Sequence, residues 1–117
     1  MKQEIEIRLE RHGGVTLFDM KGDVTGFSEP FLKEAYNKAT SKGANKIVLK
    51  FEESAYINSG GLAVLIQLLA GAKRNNQEIG ITGLSDHFKK IFNMVGITKL
   101  AKIYSSVEEA VKGLSGS

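Results

Sequence analysis

Ser54-Ala55-Tyr56-Ile57-Asn58-Ser59-Gly60-Gly61-Leu62-Ala63-Val64-Leu65-Ile66 is the stretch on which the reading of the chain turns. It follows a short apolar run, Ile47 to Phe51, and opens into Leu62 to Ala72, which is long enough for a helix and too rich in Leu and Ala for a loop. The polar residues between them therefore sit at a strand-to-helix junction. There the first N–H groups of a helix lack internal partners and the helix dipole is positive, so a hydroxyl or an anion is favoured. Asn58 or Ser59 can cap the helix, or Ser59 can serve as a chemical handle. Gly60 and Gly61 each weaken a helix start by roughly 0.5–1 kcal/mol relative to Ala, a pairing that makes sense where something must approach the backbone and the serine closely.

Outward from this junction the elements read in order. Ile5, Ile7 and Leu9 alternate with charged residues as a half-buried edge strand does. His12-Gly13-Gly14 reads as a turn, with His12 a turn residue, and Val15 to Met20 as the second arm of a hairpin. Ser28-Glu29-Pro30 has the composition of a helix start. Phe27, Phe31, Leu32, Ala35, Tyr36 and Ala39 then fall at helical spacing, their aromatics assigned to core packing, with Gly43 as the stop. Ile47 to Phe51 has the composition of a central strand, parallel to the second because a helix connects them. The helix from Gly60 to about Asn75 is apolar nearly all round and is expected to be buried.

Ile79, Ile81 and Leu84 suggest a fourth strand, and Ser85 or Asp86 a cap for a helix with Phe88, Ile91, Phe92 and Val95 on one stripe. Met94 lies off that stripe and, with Ile97, is expected to be exposed as a candidate partner contact. Lys102 to Tyr104 forms a last short strand, and Ser106-Val107-Glu108-Glu109 is a capping-box pattern for a last helix. The order β-β-α-β-α-β-α-β-α predicts an α/β fold, a single-layer mixed β-sheet with packed helices. One domain is expected over 1–113, with 114–117 a flexible tail.

Composition narrows the function classes. The chain has 117 residues, a net charge of +3 from 16 basic and 13 acidic residues, and no cysteine. No disulfide or thiolate metal site can form, and His12 and His87 are far apart in sequence, so neither a metal nor a cofactor is implied. Basic residues occur in runs no longer than two, unlike the concentrated basic face of a nucleic-acid binder. The longest apolar run is interrupted by Gln67 and falls far short of the ~20 residues of a membrane span. The N-terminus lacks the apolar core of a signal peptide, which makes a cytoplasmic location the expectation. A serine-nucleophile enzyme is disfavoured because Ile57 occupies the first glycine position of a Gly-x-Ser-x-Gly elbow, so no catalytic residue is assigned.

Tyr56-Ile57-Asn58-Ser59-Gly60-Gly61-Leu62-Ala63-Val64-Leu65 resembles the signature of STAS domains, most closely the bacterial anti-sigma-factor antagonists, where the usual form is Asp-Ser-Ser-Gly-Leu-Gly. Phe18 to Val24 resembles the family's second strand and its Gly-acidic-apolar turn, and Phe92 to Leu100 with Ile103 to Ala110 resembles its C-terminal third. Asn58 stands where the family usually has Asp, Gly60 replaces a second serine, and Thr25 stands where Asp is common. The resemblance implies a non-enzymatic interaction switch that binds an anti-sigma factor acting as a serine kinase and so frees a sigma factor. Phosphorylation of Ser59 would switch it off, and a serine phosphatase would reverse this. The partner-binding residues so implied are Asp23, Thr25, Asn58, Ser59, Gly60, Gly61 and Met94. Two other readings stay open: a STAS subunit docked on a transporter without a phospho-switch, and an anion sensor at the Asn58–Gly61 turn.

Overall fold

The strand Val15–Lys21 sorts its side chains by parity, and the layers of the molecule follow from that sorting. In the computed structural model, which describes residues 5–115, Val15 and Leu17 point to one face of the sheet and Phe18 and Met20 to the other. The strands are β1 (Glu6–His12), β2 (Val15–Lys21), β3 (Lys46–Lys50), β4 (Glu78–Thr82) and β5 (Lys102–Ile103). They lie side by side in sequence order, β1 antiparallel to β2 and every later neighbour parallel. The expected mixed sheet is thus the one observed. Central β3 buries Ile47, Val48 and Leu49 because both its faces are covered.

The helices are α1 (Glu29–Ser41), α2 (Ser59–Arg74), α3 (Asp86–Met94) and α4 (Val107–Ser115). Leu32, Ala35 and Ala39 of α1, Leu65, Leu69 and Ala72 of α2, and Phe88 and Phe92 of α3 join Phe18, Met20, Ile47, Leu49, Ile79 and Ile81 in the main core. Alone on the opposite face, α4 packs Ala110 and Leu114 against Val15, Leu17 and Val48. Helix caps follow the sequence pattern. Pro30 stands in the first turn of α1, Ser85 Oγ accepts from Phe88 N at 3.3 Å, and Ser106 Oγ accepts from Glu109 N at 3.0 Å.

Five expectations are corrected. His12 is the last residue of β1, paired with Val15, so the turn is Gly13-Gly14 alone, with Gly13 at φ +64°. Phe27 is not core. It lies in a 3-10 turn, Gly26–Ser28, ahead of α1 and is 72% exposed. The outer face of α2 is not buried, since Ala63, Ile66 and Gln67 are exposed. Ile97 is fully buried, because Gly96 at φ +86° turns the chain inward into a 3-10 turn, Ile97–Lys99. Finally, α4 runs to Ser115 and buries Leu114, so the boundary expected at residue 113 falls too early, and 116–117 lie outside the described residues.

Candidate functional site

The junction of β3 and α2 is built by two loops that clasp each other. Asn58 is extended (φ −89°, ψ 179°) and its Oδ1 accepts from Gly61 N at 2.8 Å, while Leu62 N donates to Asn58 O at 2.9 Å. Asn58 is therefore the cap, and the capping role leaves Ser59 over. Ser59 is the first residue of α2, is exposed, and its hydroxyl has no hydrogen-bond partner among the described residues. The N–H groups of Ser59 and Gly60, the first two of the helix, precede the first intrahelical bond and point their partial positive charge toward this end.

The second loop follows β2. Val24 N donates to Tyr56 O at 2.9 Å, Asn58 N donates to Val24 O at 3.1 Å, and Val24 and Ile57 form a short parallel bridge. Asp23 Oδ1 accepts from Tyr56 N at 2.9 Å, and Glu52 Oε1 accepts from Gly22 N at 2.9 Å, so each loop lends the other a carboxylate. Thr25 caps the 3-10 turn, its Oγ1 accepting from Phe27 N at 3.1 Å while its own N–H donates to Ser28 Oγ at 2.9 Å.

This clasp explains the paired glycines. A Cβ on Gly61 would overlap the Val24 carbonyl oxygen and lie 2.6 Å from its carbon, and one on Gly60 would lie 2.9 Å from Gly26 N. What approaches the backbone at Gly60 and Gly61 is the chain's own Val24–Gly26 segment. Both residues are needed to let α2 start against the second loop, so Gly60 has no room for the side chain that Ser would bring.

The structure brings Asp23, Thr25, Asn58, Ser59, Gly60 and Gly61 together in these two loops, the proximity that the family resemblance implied for Asp23 and Thr25. Met94 is 79% exposed, but the contact that α3 makes with the signature loop comes from Phe88, whose ring meets Tyr56 edge-on at 5.9 Å. Two residues of this surface were missed. Phe27, next to the Gly26 that touches Gly60, and Tyr56, three residues before Ser59, are 72% and 60% exposed. The signal for Phe27 lay in Ser28-Glu29-Pro30, which starts α1 after it and takes it off the helical stripe.

Ser59 thus presents an exposed hydroxyl at a helix N-terminus on a loop anchored by its neighbour. No base contacts Ser59 among the described residues. Comparison with known proteins agrees with the architecture. An anti-sigma-B factor antagonist of Listeria monocytogenes is 25% identical over 113 residues, 97% of this chain and 97% of that protein. The crystal structure of an anti-sigma factor antagonist from Mycobacterium paratuberculosis superposes with a TM-score of 0.78 at 17% identity, covering 97% of this chain and 98% of that one. The Bacillus cell fate determinant SpoIIAA in its phosphorylated form superposes with a TM-score of 0.64 at 14% identity, covering 92% and 98%. The family model for the STAS domain matches residues 6–110, and the chain belongs to the STAS domain family.

Proposed function

We propose that this protein is an anti-sigma-factor antagonist that binds an anti-sigma factor through the clasped loops, and that phosphorylation of Ser59 switches the binding off. The observation that carries the reading is the leftover Ser59 hydroxyl, since Asn58 supplies the cap and nothing inside the protein occupies the serine. The 25% identity over nearly the full length of an anti-sigma-B factor antagonist supports the partner class.

The physical basis of the switch is local. A phosphate brings about −1.5 to −2 charges at neutral pH. The start of α2 tolerates that charge through its leftover N–H groups, and Asn58, unlike Asp, sets no carboxylate beside it. The fold therefore stays as it is while the surface changes. A partner face shaped for a neutral hydroxyl on the loops that carry Phe27 and Tyr56 would meet charge and bulk, and a coupling of 1–3 kcal/mol changes occupancy roughly 5–150-fold. The partner is a cytoplasmic serine kinase in this reading, with a phosphatase restoring the free hydroxyl. Among the described residues no helix is long and apolar enough to cross a membrane.

Titration calorimetry of the protein, Ser59→Ala and Ser59→Glu against the host's anti-sigma factor tests this. Wild type and Ser59→Ala should bind alike, and Ser59→Glu should bind at least fivefold more weakly. Equal binding by all three would remove the switch. Capture of a membrane transporter subunit in place of an anti-sigma factor would favour constitutive docking.

A further inference from the structure

Away from the clasp, α1 and α2 part to leave a groove of about 470 Å³. That volume lies within the roughly 300–1,000 Å³ of small-molecule sites. Val64 and Leu68, both partly exposed, give it an apolar wall above the fully buried Leu32. Its far end is fixed by a side-chain network: the Tyr36 hydroxyl donates to Gln77 Oε1 and accepts from Asn75 Nδ2 at 2.9 Å, and Gln77 Nε2 donates to Ala44 O at 2.9 Å. The walls are thus held apart by a satisfied polar brace that ties the ends of both helices.

Two further features give the groove a preference. Arg74 lines it at the C-terminal end of α2 and is in no ion pair among the described residues, whereas at the opposite end Lys33 stands one helical turn from Glu29, the acidic residue of the lining. The groove also contains Gly71, a glycine inside α2 that costs roughly 0.5–1 kcal/mol relative to Ala. Packing does not demand it. A Cβ there would meet nothing closer than the Arg74 guanidinium at 3.7 Å, in contrast to the overlaps at Gly60 and Gly61. The missing side chain keeps the groove open beside Arg74.

We propose that this groove binds a free single-chain carboxylate, its apolar chain along Val64 and Leu68 and its anionic end at Arg74. The chain class follows from the apolar wall and from a length of ~15 Å, the rise of α2 between Val64 and Arg74. The sign of the head follows from the unpaired Arg74, and its direction from the opposite end, where Glu29 and Lys33 present both signs of charge.

Amide chemical-shift titrations of the full chain with decanoate, below its micelle concentration, test the proposal independently of the Ser59 reading. Expected are saturable shifts confined to α1 and α2, absent with decylammonium, weakened at least fivefold in Arg74→Gln, and abolished in Gly71→Leu. Gly71→Ala should fold at least as stably as wild type, which separates groove filling from misfolding. No saturable shift, equal response to decylammonium, or an unchanged response in Arg74→Gln and Gly71→Leu would overturn it. So would binding to phosphatidylglycerol vesicles without binding to monomeric decanoate. The Ser59→Ala variant should bind decanoate as wild type does, so loss of the phospho-switch leaves this result standing.

Discussion

Two serines stand at comparable junctions, each where a parallel strand gives way to a helix, and the sheet gives them different jobs. Ser85 is the N-cap of α3, and its Oγ is occupied by Phe88 N. Ser59 stands one residue further in, behind a cap supplied by Asn58, and its hydroxyl faces outward. At α3 the first turn presents the charged pair Asp86 and Lys89, 3.7 Å apart. At α2 it presents two glycines, clasped by the loop after β2, and the two clasped loops carry the exposed Phe27 and Tyr56. The comparison shows that a serine at a helix start is available for chemistry when a neighbour has already done the capping.

The strongest way to break the contrast is to remove the clasp. Gly61→Ala forces the Val24 carbonyl away from α2, and chemical denaturation should show a loss of about 2–3 kcal/mol, at the upper end for overpacking. Next comes the surface beside Ser59. Phe27→Ala should leave unfolding within about 0.5 kcal/mol of wild type, as exposed positions do, while weakening anti-sigma-factor binding about tenfold, as an aromatic anchor would. Binding unchanged in Phe27→Ala and in Tyr56→Ala would move the partner face elsewhere.

The serines themselves sharpen the comparison. Ser85→Ala and Asn58→Ala should each cost about 1 kcal/mol in denaturant unfolding, the usual value of a lost cap. Ser59→Ala, which removes no internal hydrogen bond, should change stability by less than about 0.5 kcal/mol. A larger loss at Ser59 than at Ser85 would reverse the assignment of cap and handle.

Much of this was legible in the sequence, for reasons that also mark where reading stopped. The polar break between Phe51 and Leu62 fixed the junction, and the helix connecting Lys21 to Lys46 implied parallel β2 and β3. Which residue caps α2 was not decided, because Asn58 and Ser59 are both competent and only the backbone angle at Asn58 selects it. Phe27 was misplaced because helical spacing was extended upstream through the residues that begin α1. Ile97 was misplaced because the left-handed turn at Gly96 reverses which side faces in, whereas Met94, on α3 before that turn, is outside because it lies off the stripe of Phe88 and Phe92. The clasp itself joins residues thirty or more positions apart, so the glycine pair hinted at a close approach without naming Val24 and Gly26.

The central claim, that Ser59 is the handle, is tested most directly by intact-mass spectrometry with peptide mapping on the protein isolated from its own host, beside Ser59→Ala. The account predicts a single phosphate on the peptide carrying Ser59, none on that carrying Ser85, and loss of the added mass in the variant. Unmodified protein under growth and stress, and after incubation with the host's anti-sigma kinases and ATP, would contradict it.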